Sequence, residues 1–268
     1  MRCVEARLHS GVGNWIYLSV EVALLALATN ATLVLPAVLH EVFSLPLDVL
    51  VFAPGQGCQT VRHMQVASSN ATTRLAVAAR TRTDFASARQ NMFQRLFSRP
   101  RRPPPHGGFA TAVHVRTVSD VRCASYRHMR ACARACVRKA SLRCVAQHAL
   151  SPVLVLSDSA RASESLVRML EARGLDAADE AALGLNATDH SALSERAARR
   201  TLALWIAFAL ARRRFASGIS TFSKSALLAR PGALGEDFVV DSRCQKKHAV
   251  DGALFTCRWA SVARDLVR

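Results

Sequence analysis

Residues 11–36, GVGNWIYLSVEVALLALATNATLVLP, decide the fold. The run is apolar enough to invite a membrane reading, since a spanning helix needs roughly 20 mostly apolar residues. Glu21 interrupts it, Thr29-Asn30 break it, and it finishes in a β-branched stretch before Pro36. A helix over Ile16–Ala28 followed by a buried strand at Thr32–Leu35 accounts for all of these features, and no membrane span is expected. Upstream, Cys3–Leu8 reads as a short strand and Ser10–Asn14 as a tight glycine loop. Strand, glycine loop, helix and strand make a βαβ unit, the building block of parallel sheets.

The same alternation continues outward. Leu47–Phe52 is a further candidate strand, and Thr72–Arg102 has a basic helical pattern. That pattern runs into Pro103-Pro104-Pro105 and His106-Gly107-Gly108, which cannot lie inside a helix or a central strand. A boundary is therefore expected there, dividing the chain into 1–105 and 106–268. The second part restarts with a strand, Phe109–Val115, and then a cysteine-bearing helical segment near 122–148. Val153–Leu156 is a buried strand, and Ala160–Gly174 a helix closed by glycine. Thr201–Arg214 reads as an apolar helix with an arginine tail at its negative end, followed by a last strand at Phe215–Ile219. A turn at Ser220–Ser223 and a short helix at Lys224–Ala229 complete the pattern, giving an α/β class.

Half of the residues are hydrophobic and 21% are charged, which excludes a disordered chain. A net charge of +17 raises nucleic acid as a partner. The lysines at 139, 224, 246 and 247 leave 32 arginines, spread along the whole chain and set among alanines rather than gathered in one patch. No nucleic-acid partner is expected; an anionic small molecule needs only a few of these charges. No signal peptide is recognisable at the start, so the protein is either cytosolic or continues upstream. The eight cysteines favour an oxidising compartment. Cys123, Cys132, Cys136 and Cys144 cluster without a zinc spacing, Cys244 and Cys257 could close a loop, and some could be small core residues. Three Asn-Ala-Thr sequons (Asn30, Asn70, Asn186) agree with that compartment. Asn30 reads equally well as a helix-ending residue.

Ligands of open α/β sheets bind beyond the carboxyl ends of the strands, and three unusual sequences fall there. Gly11-Val12-Gly13-Asn14 follows the first strand, where glycine lets backbone approach a ligand and a helix N-terminus favours negative charge. The plain structural alternative is a glycine turn. His114-Val115-Arg116 ends another strand; arginine there can hold a phosphate through two parallel hydrogen bonds, or pair with Asp120 on the surface. Ser220-Thr221-Phe222-Ser223 offers hydroxyls and free N–H groups as a phosphate cradle, or as an ordinary N-cap. Ser157-Asp158-Ser159 is a fourth strand end of the same kind, by default an N-cap.

Taken in order, GVGNWIYLSVEVALLALATNATLVLP (11–36), AVHVRTVSD (112–120), VLVLSDS (153–159) and ASGISTFSKSA (216–226) form a recognisable set. The chain resembles the GDP-fucose fucosyltransferases, the superfamily of the protein O-fucosyltransferases and the α1,2- and α1,6-fucosyltransferases. The resemblance implies a GT-B-like fold of two Rossmann-like halves with the donor in the cleft between them. It also implies inverting transfer of fucose from GDP-fucose to a glycan or protein acceptor, with no metal and no cofactor, in the Golgi or endoplasmic reticulum lumen of a glycosylated, disulfide-bonded protein. By the same resemblance Arg116, Asn14 and Asp120 would be catalytic. Gly11, Gly13, Asn14, His114, Arg116, Asp158, Ser220, Thr221 and Phe222 would bind the donor. The sequence contains no Asp-x-Asp, the pair that many metal-dependent glycosyltransferases use. It departs from the family pattern at Trp15, where Gln usually follows Gly-Asn, and at Val118-Ser119, where many members have Gly-Asp. The implied alternative is a non-catalytic relative that binds a nucleotide or glycan.

Overall fold

Helix then strand is what residues 11–36 form. The computed structural model describes residues 2–5, 11–45, 51–52, 59–61, 71–101, 108–116, 142–184, 195–217, 220–230, 236–244 and 253–259. Asp120, Cys123, Cys132, Cys136, the sequons at Asn70 and Asn186 and the proline run lie outside the described residues. After β1 (Arg2–Glu5), α1 spans Val12–Thr29 and β2 spans Thr32–Val34. The helix starts four residues earlier than its apolar spacing predicts. Gly11, with φ −74° and ψ 162°, is its N-cap, so Val12-Gly13-Asn14 are its first turn and not a separate loop. At the other end Asn30 takes the left-handed conformation (φ 53°) and its N–H donates to the Ala26 carbonyl, which ends the helix as its chemistry allows. By length and composition α1 could cross a bilayer, but 61% of it is buried inside the fold. It is a core helix.

Two sheets organise the described chain. The first has the order β3-β2-β1-β4, with β3 at Val51–Phe52 and β4 at Gln59–Val61, all parallel. Helices α2 (Ala37–Val42), α3 (Ala71–Thr81) and α4 (Phe85–Phe97) accompany it. The single helical pattern expected over 72–102 is thus two helices. Arg82 adopts φ 56°, and Asp84 restarts the chain by accepting from the Ser87 N–H at 3.0 Å. A buried ion pair, Arg89 to Glu21 at 2.7 Å, ties α4 to α1 and explains the lone acid in the apolar run.

The second sheet has the order β10-β9-β8-β5-β6-β7. Its strands are β5 (Thr111–Val115), β6 (Val153–Ser157), β7 (Ala177–Asp179), β8 (Arg213–Ser217), β9 (Asp237–Cys244) and β10 (Ala253–Trp259). All pairings are parallel except β9 with β10. Its helices are α5 (142–148), α6 (Ala160–Glu171), α7 (Glu195–Leu210) and α8 (Thr221–Ala229). Along its strands the side chains alternate between two faces. Ala112, Leu154, Leu156, Ala216 and Val239 join α1, α4, α7 and α8 in one core. Val113, Val115, Val153, Val155, Phe215 and Phe238 face the other way, toward Leu142, Val145, Leu166 and Leu170. The first core contains residues of both sheets' helices, so α1 packs directly against α8.

Three sequence expectations need correction here. The arginines after α7 are not a helix tail: Leu210 ends the helix, and Arg213 and Arg214 belong to β8. Arg214 is fully buried and makes two 2.7 Å hydrogen bonds to Asp237 of β9. β8, expected as the last strand, is followed by a helix and then by two more strands, which the polar composition of 237–259 concealed. In that hairpin Cys244 lies opposite Ala253, while Cys257 lies opposite Val240. The two cysteines are therefore offset by four residues, about 13 Å along the strands. A disulfide between them needs Cα atoms within about 7 Å, so they do not close a loop.

Candidate functional site

The site forms where the first turns of α1 and α8 meet. Gly13 is the second residue of α1, and a Cβ built on it would lie 2.2 Å from the Phe222 nitrogen and 2.5 Å from its Cα. Only glycine fits. Within the protein the backbone that Gly13 approaches is Thr221-Phe222 of α8.

This contact brings together two helix N-termini, each carrying a partial positive charge of about half an elementary unit. Gly11 has no side chain to cap α1, Ser220 makes no side-chain cap on α8, and neither first turn contains an acid. The Ser220 hydroxyl is 1% exposed and has no hydrogen-bond partner among the described residues. A buried hydroxyl in that condition costs on the order of 1–3 kcal/mol until something satisfies it. Two adjacent positive helix ends and an unsatisfied donor are the makings of an anion site.

The second sheet supplies the rest. His114 projects from β5 to the face that carries α7 and α8, where its ring lies 4.8 Å from Phe222 at 31° and 6.4 Å from Phe208. It is buried, and it braces Phe222 from beneath. Trp205 of α7 adds a second brace: its Nε1–H donates to Ser225 Oγ at 2.8 Å, and that hydroxyl donates to the Phe222 carbonyl at 2.9 Å. Nothing in the sequence singled out Trp205 or Ser225. Their signal, a buried polar pair on two neighbouring apolar helices, is a property of packing.

Arg116 follows His114 by two residues and leaves the carboxyl end of β5 on the same face. Its Nε lies 3.8 Å from Asp158 Oδ2, with the arginine side chain 38% exposed and the aspartate side chain 5% exposed. The register explains the meeting: Val115 is opposite Ser157, so the residues after them share the sheet edge. Ser157 fixes that edge by donating to the Val115 carbonyl at 2.9 Å and accepting from the Ser159 N–H at 3.2 Å. Among the described residues the acid beside Arg116 is thus Asp158; Asp120, the sequence-based candidate, lies outside them. Ser159 occupies the N-cap position of α6 but makes no side-chain cap.

Strand register and the Gly13 contact gather Gly11, Gly13, Asn14, His114, Arg116, Asp158, Ser220, Thr221 and Phe222 at one edge of the second sheet. Asn14 is exposed there. Trp15 turns the other way, into the core. Among the described residues no three His, Cys, Asp or Glu side chains group together as a metal site would require.

No protein-family model matches the chain, and no curated protein matches it. Its fold does match solved structures. An Arabidopsis thaliana FUT1 mutant in complex with GDP aligns with a TM-score of 0.57 at 13% identity, over 97% of this chain and 74% of that one. The α-1,6-fucosyltransferase NodZ soaked with GDP-fucose aligns with a TM-score of 0.52 at 14% identity, over 96% of this chain and 99% of that one. Fucosyltransferase NodZ from Bradyrhizobium aligns with a TM-score of 0.50 at 14% identity, over 96% and 98%. At such identities the likeness is one of fold, and it spans both sheets. The chain therefore has the GT-B-like α/β fold of these solved fucosyltransferases.

Proposed function

We propose that this protein is a glycosyltransferase that takes GDP-fucose as donor and moves fucose to a glycan or glycoprotein acceptor without a metal. The observation that carries the proposal is the clasp of two uncapped helix N-termini at Gly13 and Phe222, with Arg116 at the adjoining strand end. Such a site fits a diphosphate. Solved proteins of the same fold were captured with GDP and with GDP-fucose, which supports that choice of donor.

In this reading the acceptor oxygen attacks the anomeric carbon as the bond to the β-phosphate oxygen breaks. The bonding pair leaves with GDP, and negative charge grows on the β-phosphate. Arg116 is the group to stabilise that charge, because its guanidinium is permanently charged and partly exposed at the strand end. Thr221, Ser220 and the N–H groups of the α8 first turn hold the diphosphate, and Asn14, exposed on α1, reaches the sugar. Asp158 accepts from the nucleoside, and Phe222, braced by His114, flanks the base. Asp120 is kept as a third catalytic candidate on the resemblance alone.

The halves are assigned as 1–105 and 106–268, with the donor between them. A lumenal setting in the Golgi or endoplasmic reticulum is part of the proposal. Cys3 and Cys144 are each disulfide-bonded, as suits an oxidising compartment, and the Asn30 sequon is exposed.

One observation favours a second reading, a non-catalytic relative that binds a nucleotide or glycan. Trp15 stands where the family pattern has Gln, and it is committed to the core. Titration calorimetry with GDP followed by donor turnover divides the readings. GDP binding with release of GDP from GDP-fucose supports the transferase; binding without turnover supports the relative; absence of GDP binding defeats both. Arg116→Ala is expected to lower turnover on the order of 10²-fold or more, as loss of an electrostatic stabiliser does. Unchanged turnover would remove Arg116 from its role.

A further inference from the structure

Trp205 is buried on α7, where its ring and its one polar atom serve different neighbours. The ring meets Phe43 edge-on at 5.7 Å and 83°, and Phe97 at 6.4 Å and 74°. Phe43 follows α2 and Phe97 ends α4, and the two are themselves in edge contact at 5.1 Å. The backbone around them is knitted together. Ser44 N–H donates to the Arg99 carbonyl at 2.9 Å, and Arg101 N–H to the Val42 carbonyl at 2.8 Å. The indole is thus seated in a cluster that belongs to the helices of the first sheet, while its N–H engages α8.

An indole N–H can only donate. Its bond to Ser225 Oγ at 2.8 Å leaves that hydroxyl to donate in turn, which it does to the Phe222 carbonyl at 2.9 Å. Ser225 is 0% exposed, and hydrogen bonds chained in such surroundings strengthen one another. The Phe222 carbonyl and the Ser223 N–H are two ends of one peptide unit, and a planar peptide turns as a whole. The relay therefore fixes the plane of a peptide in the first turn of α8. That peptide adjoins the Phe222 nitrogen on which Gly13 closes.

We propose that Trp205 is a positioning residue of the donor site, acting through Ser225 to keep the first turn of α8 aligned with that of α1. The proposal rests on the reading of that turn as the diphosphate cradle. Trp205 lies in the core and acts on a ligand only through the Phe222–Ser223 peptide. Because the cradle holds the diphosphate alike before and during transfer, its misalignment weakens binding without slowing the bound donor. Arg116 differs, since the charge it meets grows only as the bond breaks.

The test compares Trp205→Phe, Ser225→Ala and the double variant in the whole protein. GDP affinity is read by titration calorimetry, KM and kcat with GDP-fucose, and stability by urea unfolding. Each single variant is expected to raise the Kd for GDP and the KM about fivefold, as loss of one hydrogen bond does, with kcat unchanged. Both break the same relay, so the double variant should also lose about fivefold rather than the product of the two. Leu170→Ala is the control: it empties volume in the core on the other face of the second sheet and should lower stability with GDP affinity unchanged. Variants at Trp205 and Ser225 that behave like this control, less stable but with the Kd for GDP unmoved, would reduce the relay to packing and overturn the proposal. Multiplying losses in the double variant, or a fall in kcat at constant KM, would overturn it as well. Should Trp205→Phe fail to fold by circular dichroism, Ser225→Ala, which removes a single oxygen, decides alone. Absence of GDP binding to the unmodified protein is a separate outcome: it defeats the donor assignment, and the proposal with it.

Discussion

Gly13→Ala puts the geometry of the site to its most direct test. The added methyl carbon would lie 2.2 Å from the Phe222 nitrogen, 2.5 Å from its Cα and 2.6 Å from the Thr221 carbonyl carbon. Ordinary contact begins at 3.4 Å, so a gap of about 1 Å must open between α1 and α8. All three atoms are backbone, and no rotamer change can clear them. Overpacking of this kind costs roughly 1–3 kcal/mol, and the rigidity of two helix ends argues for the upper figure. An unobstructed helix-interior glycine behaves in the opposite way, since alanine there gains about 1 kcal/mol. The sign is therefore diagnostic. Thermal unfolding followed by circular dichroism should show a loss of roughly 5–10 °C for a chain of this size. Because the same 1 Å separates the two helix N-termini, the proposed turnover of GDP-fucose should fall on the order of 10²-fold, the usual effect of such a misplacement. An alanine variant as stable as the unmodified protein, with unchanged turnover, would refute the close-contact reasoning.

Two further outcomes follow from buried charge. Asp237→Asn breaks the buried pair with Arg214, which also donates to the Ala209 carbonyl at 3.2 Å; the expected loss is about 3–5 kcal/mol in urea unfolding. Replacing both partners with Met and Leu should recover most of it, and a small loss in the single variant would contradict the burial. Glu180, 2% exposed beyond β7, has its pKa pushed from 4.5 up to about 7, chiefly by burial. Between those values the folded chain keeps a proton that the unfolded chain releases, so stability falls as pH rises through that window and levels off above it. Relative to Glu180→Gln, the unmodified protein should lose about 3 kcal/mol between pH 4.5 and pH 8; parallel pH profiles would contradict this origin.

Much of the scaffold was legible because it depends on short stretches. Pro36, Gly174 and the β-branched run Thr32–Leu35 restrict their own backbone or present one apolar face, whatever lies elsewhere. Strand ends therefore fell close to where composition placed them, and His114, Arg116, Asp158 and Ser220 were marked as edge residues. The failures are equally local in origin. In sequence Arg213 and Arg214 read as a helix tail because burial of Arg214 requires Asp237 from a distant strand, and nothing within a window of residues announces that partner. The β9–β10 hairpin was missed for a related reason: its strands are held by pairing with β8 and with each other rather than by strong alternation of their own.

By itself the sequence determined the α/β class, the helix–strand reading of residues 11–36 and the placing of His114, Arg116, Asp158 and Ser220 near strand ends. Those follow from backbone sterics and hydrophobic period, which act over a few residues. Tertiary structure alone decided that Gly13 packs on the Phe222 backbone, that Trp15 goes to the core, and that, among the described residues, the acid beside Arg116 is Asp158. Each is a choice among partners far apart in the chain, set by how apolar faces of helices and sheet can be covered at once. Close packing admits only a few such arrangements, and which one is adopted depends on every face together.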